Sequence, residues 1–163
     1  MERLLILTTG GTIDKIYFDA KSDYEVGESV IPVLLRESGV TLDCRVVSLM
    51  RKDSLDLTAA DRATIRTACE EAAEDWIVIT HGTDTMTKTA EALVGIDGKS
   101  IVLTGSLAPA RFRESDAVFN IGFALATVQA KSPGVYLAMN GRIFDAGKVV
   151  KNLETQRFEK TSG

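Results

Sequence analysis

The sequence has 163 residues, 45% of them hydrophobic, which is typical of one domain that can bury its own core. The net charge is -4 and the basic residues are scattered, which argues against a nucleic acid or an anionic membrane as partner. No apolar run is long enough to cross a membrane and no secretory signal is visible, so we expect a cytoplasmic protein. Cys44 and Cys69 lie in apolar segments and are expected to be buried free thiols.

Runs of branched apolar residues alternate with segments of helical period, which predicts a three-layer α/β fold, a mostly parallel sheet flanked by helices. Strands are predicted over residues 3–8, 42–48, 76–80, 100–104 and 135–139. Helices are predicted over residues 28–38, 58–74, 87–94 and 115–130. Pro32 falls in the opening turn of the first helix, where it is tolerated, and Thr58 with Asp61 predicts a capping box for the second. Asn140-Gly141 predicts a hairpin turn near the C-terminus.

Hydroxyl-bearing loops follow three of the predicted strands. Thr-Gly-Gly-Thr at residues 9–12 follows the first strand, Ser54 follows the second, and His-Gly-Thr-Asp at residues 81–84 follows the third. Since glycine tolerates positive φ and has no Cβ, backbone N–H groups of the first loop can face a developing oxyanion. A threonine hydroxyl is a weak nucleophile that needs a neighbouring base. Ligands of open α/β sheets bind at the carboxyl ends of the strands, so the sequence predicts a site that contains Thr12, Ser54, Thr83 and Asp84.

Local chemistry alone leaves a purely structural interpretation of both loops open. Residues 9–12 can form a tight turn whose threonine caps the next element. Likewise, Thr83 or Asp84 can cap the predicted helix at residues 87–94.

Several other kinds of site are excluded. No G-x-G-x-x-G fingerprint exists, because the next glycine after the Gly-Gly pair is Gly27, and Leu93 replaces the first glycine that a P-loop ending at residues 98–100 needs. The only histidine, His81, cannot form a multi-histidine metal site, and no G-x-S-x-G elbow is present. We expect His81 to be a buried, hydrogen-bonded structural residue and residues 97–99 to form a solvated loop.

Residues 9–13 and 80–86, Thr-Gly-Gly-Thr-Ile and Thr-His-Gly-Thr-Asp-Thr-Met, resemble the two signature segments of the bacterial-type L-asparaginase (asparaginase/glutaminase) family. Four further segments are similar to family segments in the same order. Residues 22–27 resemble the flexible-loop tyrosine segment, and residues 53–58 resemble the substrate-binding serine loop. Residues 104–109 with 116–120 resemble the next strand with its helix, and residues 139–151 resemble the stretch that ends in the catalytic lysine. The resemblance covers nearly the whole chain.

The resemblance implies hydrolysis of L-asparagine to L-aspartate and ammonia, with no cofactor and no metal. It implies catalytic roles for Thr12, Thr83, Asp84, Lys151 and Tyr24. Thr12 would attack the side-chain amide carbonyl, and Tyr24 would orient or relay at Thr12. Lys151, held by Asp84 and linked through the Thr83 hydroxyl, would accept and return the proton. The order in which the two threonines act stays open, and without the family match Lys151 reads as a surface charge and Tyr24 as a loop-packing residue.

Substrate-binding roles are implied for Gly11, Ser54, Thr83 and Asp84. Backbone N–H groups near Gly11 and Thr83 would hold the oxyanion. Ser54 and Asp84 would hold the α-carboxylate and the α-ammonium of the substrate, respectively.

Family members commonly carry a second domain after a linker, and this sequence ends about where that domain would begin. The expectation is therefore a stand-alone, single asparaginase N-terminal-type catalytic domain over residues 1–163, with weak substrate binding and assembly into a homo-oligomer, a dimer or a tetramer. Leu55 stands where some relatives have a polar side chain. Two other functions stay open, a non-catalytic asparagine or aspartate sensor and an amidotransferase-type component that needs a partner chain.

Overall fold

The computed structural model describes residues 3–18 and 23–162; Ser22, in the predicted tyrosine segment, lies outside them. The strands are Arg3–Gly10 (β1), Lys15–Phe18 (β2), Asp23–Val26 (β3), Asp43–Lys52 (β4), Trp76–Thr80 (β5), Ser100–Thr104 (β6), Gly134–Met139 (β7), Arg142–Asp145 (β8), Val149–Asn152 (β9) and Arg157–Lys160 (β10). The helices are Ile31–Glu37 (α1), Ala59–Glu71 (α2), Met86–Leu93 (α3) and Ala117–Ala130 (α4). Short 3-10 helices, Thr12–Asp14 and Ser54–Asp56, follow β1 and β4.

The central sheet has the strand order β4-β1-β5-β6-β7-β8. Its strands are parallel except β8, which runs antiparallel to β7. β1, β5 and β6 are buried along nearly their whole length, as expected for inner parallel strands covered on both faces. Asn140 and Gly141 form the predicted turn between β7 and β8, with φ angles of 50° and 89°. The predicted fold, with its hairpin near the C-terminus, is confirmed.

Helices cover both faces of this sheet because alternate residues of each strand point to opposite sides. Leu5 and Leu7 of β1 contribute to the core beneath α2 and α3. Leu4 and Ile6, one residue out of phase, contribute to the core beneath α1 and α4. None of the helices in the described part of the chain combines the length and the apolar character that a membrane crossing requires.

The ends of several elements differ from the prediction. β4 continues to Lys52 because it pairs with the end of β1 at Gly10. α1 begins only at Ile31, since the Asp14 carboxylate accepts hydrogen bonds from the Val30 N–H and the Ser29 hydroxyl just before it. The hairpins β2–β3 and β9–β10 have no counterpart in the prediction, because strands of four residues are too short for a periodic signal. The predicted capping box at the start of α2 is confirmed.

Lys99 corrects the expectation of a solvated loop at residues 97–99. Its side chain donates to the carbonyl oxygens of Ala72 and Glu74 at 2.6 Å and 2.8 Å, and the residue is 9% exposed. Carbonyl groups at and beyond the end of α2 have no helical partner, so the Lys99 ammonium satisfies them.

Cys69 is a buried free thiol, as predicted, and burial raises its pKa to about 12. Cys44 is also a free thiol but is only partly buried, which corrects the expectation for that residue. It lies on β4, the outermost strand of the sheet among the described residues, which pairs there with β1 alone.

Candidate active site

The loops predicted to form a site follow β4, β1 and β5, which are neighbours in the sheet. Thr12 opens the 3-10 helix after β1, Ser54 opens the one after β4, and residues 81–85 connect β5 to α3. Because these strands are parallel, their carboxyl ends lie at the same edge. The fold therefore places the predicted loops side by side.

Gly11 and Gly82 allow these loops to touch. Gly11 has a φ of 86°, and its N–H donates to the Lys52 carbonyl oxygen at 2.9 Å. A Cβ on Gly11 would collide with the backbone N and Cα of Gly82. A Cβ on Gly82 would in turn lie 2.7 Å from Ser54 Oγ. Both loops thus need glycine for their close approach, in addition to any role at a ligand.

Lys151 reaches this edge from β9. Its Nζ donates hydrogen bonds to Thr83 Oγ1 and Asp84 Oδ1, both at 2.8 Å. The Lys151 side chain is 6% exposed, whereas the Asp84 side chain is 40% exposed. The interpretation of Lys151 as a surface charge is therefore wrong, because the amine lies beneath the Asp84 carboxylate.

The capping interpretation of the two glycine-containing loops is also wrong. α3 begins after Thr85, whose side chain makes no capping hydrogen bond, while Thr83 and Asp84 bind Lys151 instead. In the first loop, Gly11 occupies the N-cap position of the 3-10 helix, and no side chain of the described residues caps that helix. Glycine packing joins the two loops, and Lys151 binds the second of them.

Ser54 is 1% exposed and joined to the loop after β5 through Thr85. Ser54 Oγ accepts from the Thr85 N–H at 3.2 Å, and Thr85 Oγ1 donates to the Ser54 carbonyl oxygen at 2.8 Å. Since Ser54 Oγ is the acceptor in the first bond, its own proton is left for another acceptor. Leu55, the next residue, is 71% exposed.

Tyr24 lies on β3, in the hairpin that follows the Thr12 turn. Its ring centroid lies 5.4 Å from that of Tyr17 and 5.8 Å from that of Phe112. The hairpin is also tied to the Ser54 loop by an ion pair between Lys15 and Asp53 at 3.1 Å. These contacts place the hairpin beside the site, and a direct action of Tyr24 on Thr12 stays a prediction.

His81 is fully buried, as predicted for a structural residue. Its Nδ1 lies 2.7 Å from the Gly82 carbonyl oxygen and its Nε2 lies 2.7 Å from Thr89 Oγ1. Burial, aided by the charge of Arg62, lowers the pKa of His81 to about 4, so the ring is neutral at pH 7. A neutral ring carries one N–H, and a carbonyl can only accept, so Nδ1 carries the proton and Nε2 accepts from Thr89.

Arg62 is a neighbour of the site for which the sequence carries no recognised motif. It lies on α2 and donates to Thr85 and Thr89, the residues that contact Ser54 and His81. The sequence feature that could have indicated Arg62 is its position, four residues after Thr58, the N-cap of the helix that follows the Ser54 loop.

No group of three or more His, Cys, Asp or Glu side chains is placed to hold a metal ion within residues 3–18 and 23–162. The chemistry available from the described side chains is that of hydroxyls, a buried amine and a carboxylate.

A family model described as "Asparaginase, N-terminal" matches residues 3–160. The L-asparaginase of Thermococcus kodakarensis is 35% identical over 161 residues, which cover 91% of this chain and 47% of the relative. L-asparaginase 2 of Escherichia coli is 34% identical, over 95% of this chain and 48% of the relative. The solved structure of the thermostable L-asparaginase from Thermococcus kodakarensis matches with a TM-score of 0.80 at 30% identity, over 97% of this chain and 51% of that one. The chain spans about half the length of the curated relatives it matches.

A similarity of another kind bears on function. One subunit of the glutamyl-tRNA(Gln) amidotransferase of Aeropyrum pernix is 31% identical over 181 residues, which cover 96% of this chain and 40% of the relative.

Proposed function

This chain belongs to the family described as Asparaginase, N-terminal, and on that basis we propose that it hydrolyses L-asparagine to L-aspartate and ammonia. The observation that carries the proposal is the buried Lys151 amine, 2.8 Å from both the Thr83 hydroxyl and the Asp84 carboxylate. An amine within hydrogen-bond reach of a hydroxyl, and itself oriented by a third group, can take a proton from that hydroxyl and, through it, from a neighbouring nucleophile.

Thr12 is the proposed nucleophile. Its hydroxyl oxygen bonds to the side-chain amide carbon of asparagine, its proton passes to the base, and the carbonyl oxygen becomes an oxyanion. Backbone N–H groups near Gly11 and Thr83 stabilise this oxyanion. The C–N bond then breaks, and the leaving nitrogen takes a proton and departs as ammonia. Water cleaves the resulting β-aspartyl ester, which releases aspartate and restores the Thr12 hydroxyl.

Lys151 is the proposed base. Its amine receives the proton through the Thr83 hydroxyl and later returns it, while Asp84 holds the Lys151 side chain in place. Tyr24 orients or relays at Thr12; its ring, in the hairpin that follows the Thr12 turn, packs on Tyr17 and Phe112.

Ser54 and Asp84 are the proposed substrate-binding side chains. The unassigned Ser54 proton can donate to the α-carboxylate, and the exposed Asp84 carboxylate can accept from the α-ammonium. The glycine contacts pack the loops of Thr12 and Ser54 against the loop between them. In this proposal that packing limits the distance between the group that binds the α-carboxylate and the nucleophile. We therefore propose a preference for asparagine over glutamine, since one extra methylene would misplace the carbonyl.

A homo-oligomer, a dimer or a tetramer, is the proposed assembly. Large apolar side chains on α4 and β8 are exposed, with Val118 at 58%, Phe119 at 60% and Ile143 at 38%. Exposed apolar patches of this kind are a feature of interaction surfaces. Light scattering at assay concentration tests this proposal, and a monomer with full activity would contradict it.

An amidotransferase-type component is a second candidate function, which the similarity to the Aeropyrum pernix amidotransferase protein favours. Such a component would need its partner chain for activity, whereas an asparaginase would be active alone. A non-catalytic sensor would bind asparagine or aspartate without turnover.

Ammonia release by the purified chain separates the asparaginase from the two other functions. The assay compares L-asparagine, L-glutamine and D-asparagine with Lys151→Met protein as the blank. Release from L-asparagine by the chain alone supports the proposal. Absence of release, despite binding of L-aspartate by calorimetry, would favour the sensor or the amidotransferase component.

A further inference from the structure

Arg62 is a buried cation whose hydrogen-bond partners in the described part of the chain are all neutral. It is 7% exposed, and its Nε and Nη2 donate to the hydroxyl oxygens of Thr89 and Thr85, both at 3.1 Å. Its Nη1 donates to the carbonyl oxygen of Leu57 at 3.2 Å. A buried guanidinium without a carboxylate partner is costly, so a gain in stability is a poor explanation for its presence.

Arg62 fixes the direction of two hydroxyl protons. An arginine side chain has donors and no acceptor, so Thr85 Oγ1 and Thr89 Oγ1 must both accept from it. Each threonine then directs its single proton away from Arg62. The Thr85 proton goes to the Ser54 carbonyl oxygen at 2.8 Å, and the Thr89 proton goes to His81 Nε2 at 2.7 Å.

The two branches end on the loops of the proposed site. One branch runs from Arg62 through Thr85, whose hydroxyl and N–H both bind Ser54. The other runs through Thr89 and the His81 ring to the Gly82 carbonyl oxygen, next to Thr83. Arg62 thus links the loop after β4 to the loop after β5, in addition to the contact between Gly82 and Ser54.

We propose that Arg62 is a positioning residue for substrate binding, which holds Ser54 at a fixed place relative to the Thr83-Asp84 loop through Thr85. This inference rests on the function proposed above, in which Ser54 binds the substrate α-carboxylate. Loss of Arg62 then shifts Ser54 and weakens substrate binding, while the contact of Lys151 with Thr83 and Asp84 does not pass through Arg62.

The kinetic test compares Arg62→Met with Arg66→Met. Arg66 is a matched control on the same helix: it also bridges α2 and α3, through the carbonyl oxygens of Ala92 and Val94 at 2.9 Å and 3.0 Å, without contact to the site loops. Arg62→Met is expected to raise KM for L-asparagine about tenfold to a hundredfold with kcat within about threefold of wild type. Arg62→Lys, which lacks the planar fork, is expected to lie between Arg62→Met and wild type.

A merely structural role for Arg62 would reduce the folded fraction, and hence the maximal rate, without changing KM. Unchanged KM in Arg62→Met, or an equal rise in Arg66→Met, would therefore overturn the inference. If Arg62→Met does not fold, Thr85→Val decides, because it removes one hydroxyl with little change of shape. A tenfold rise in KM for Thr85→Val supports the inference, and wild-type KM overturns it.

Hydrogen exchange separates a failure of this inference from a failure of the proposed function. The Thr85 N–H, which donates to Ser54 Oγ, is expected to exchange at least about tenfold faster in Arg62→Met than in Arg66→Met. This readout does not need catalysis. If wild-type protein releases no ammonia, the proposed function fails, and faster exchange in Arg62→Met still supports the linking role; equal exchange in the two variants overturns it.

Discussion

Lys151→Met removes the Lys151 amine while it keeps an unbranched apolar side chain of similar length. Two hydrogen bonds of 2.8 Å are lost. A hydrogen bond to a charged group contributes about 1.5 to 3 kcal/mol, but Asp84 is 40% exposed and water can replace its partner, so we expect a net loss of stability of about 1 to 2 kcal/mol. For a chain of this size, that loss lowers Tm by roughly 2 to 8 °C.

The effect on catalysis should be much larger. Loss of a proton-transfer group lowers the rate about a hundredfold to ten-thousandfold, which corresponds to about 3 to 5 kcal/mol in the activation barrier. The predicted signature of Lys151→Met is therefore a kcat reduced at least about a hundredfold in protein that is still folded at the assay temperature. Ammonia release measures kcat, and calorimetry measures Tm.

Lys99→Met is the matched control. Lys99 is another buried lysine with two short hydrogen bonds, but it binds backbone carbonyls. It lies directly before β6, at the amino ends of the strands, whereas the candidate site lies at their carboxyl ends. We expect Lys99→Met to lower Tm at least as much as Lys151→Met and to leave kcat and KM within about twofold of wild type. If Lys151→Met retains more than about a tenth of wild-type kcat, Lys151 is not the base.

Three further predictions concern the two threonines, Gly11 and His81. Thr12→Ala, Thr83→Val and the double variant should fall to a similar residual kcat, because groups that act as a unit show non-additive losses; additive losses in steady-state kinetics would contradict this. Gly11→Ala should lower the free energy of unfolding in urea by several kcal/mol more than Gly98→Ala. Both glycines have positive φ, but only at Gly11 would a Cβ collide with backbone atoms, so equal losses would contradict the packing argument. The pKa of His81 is about 4 in the folded protein, below the value of 6.5 in an unfolded chain. Between pH 4 and 6.5 the unfolded state therefore binds more protons than the folded state. The stability that comes from keeping His81 neutral is lost as the pH falls from about 6.5 to 4. An NMR titration of the chain's one histidine should show a midpoint near 4, and a midpoint near 6.5 would show that the ring is not buried as described.

The inner strands and the helices were predictable because their signals are local. β5 and β6 are continuous apolar runs with the predicted ends, since inner parallel strands are buried on both faces. The start of α1 was not predictable from periodicity, because it depends on Asp14, a residue 16 positions before Val30 in the sequence. The hairpins β2–β3 and β9–β10 depend on cross-strand pairing over only four residues on each strand.

The residues of the candidate site differ in how far the sequence could predict them. Thr12, Ser54 and Thr83 could be placed on one edge because each follows a parallel strand. Lys151 contacts Thr83 and Asp84 across 68 and 67 residues, and only the resemblance to a family indicated it. Arg62 reaches its partners through the packing of α2 against α3, which no local pattern reports.

Peptide mapping of acid-quenched turnover mixtures tests the threonine-nucleophile mechanism most directly. Wild-type protein and Thr12→Ala are mixed with L-asparagine, quenched within the first turnovers, digested and analysed by mass spectrometry, while ammonia is measured in parallel. The mechanism predicts a β-aspartyl ester on the wild-type peptide that carries Thr12, no ester in Thr12→Ala, and ammonia release by the variant reduced at least about a hundredfold. Ammonia release by Thr12→Ala at the wild-type rate, or an ester confined to the peptide that carries Thr83, would contradict the assignment of Thr12 as the nucleophile.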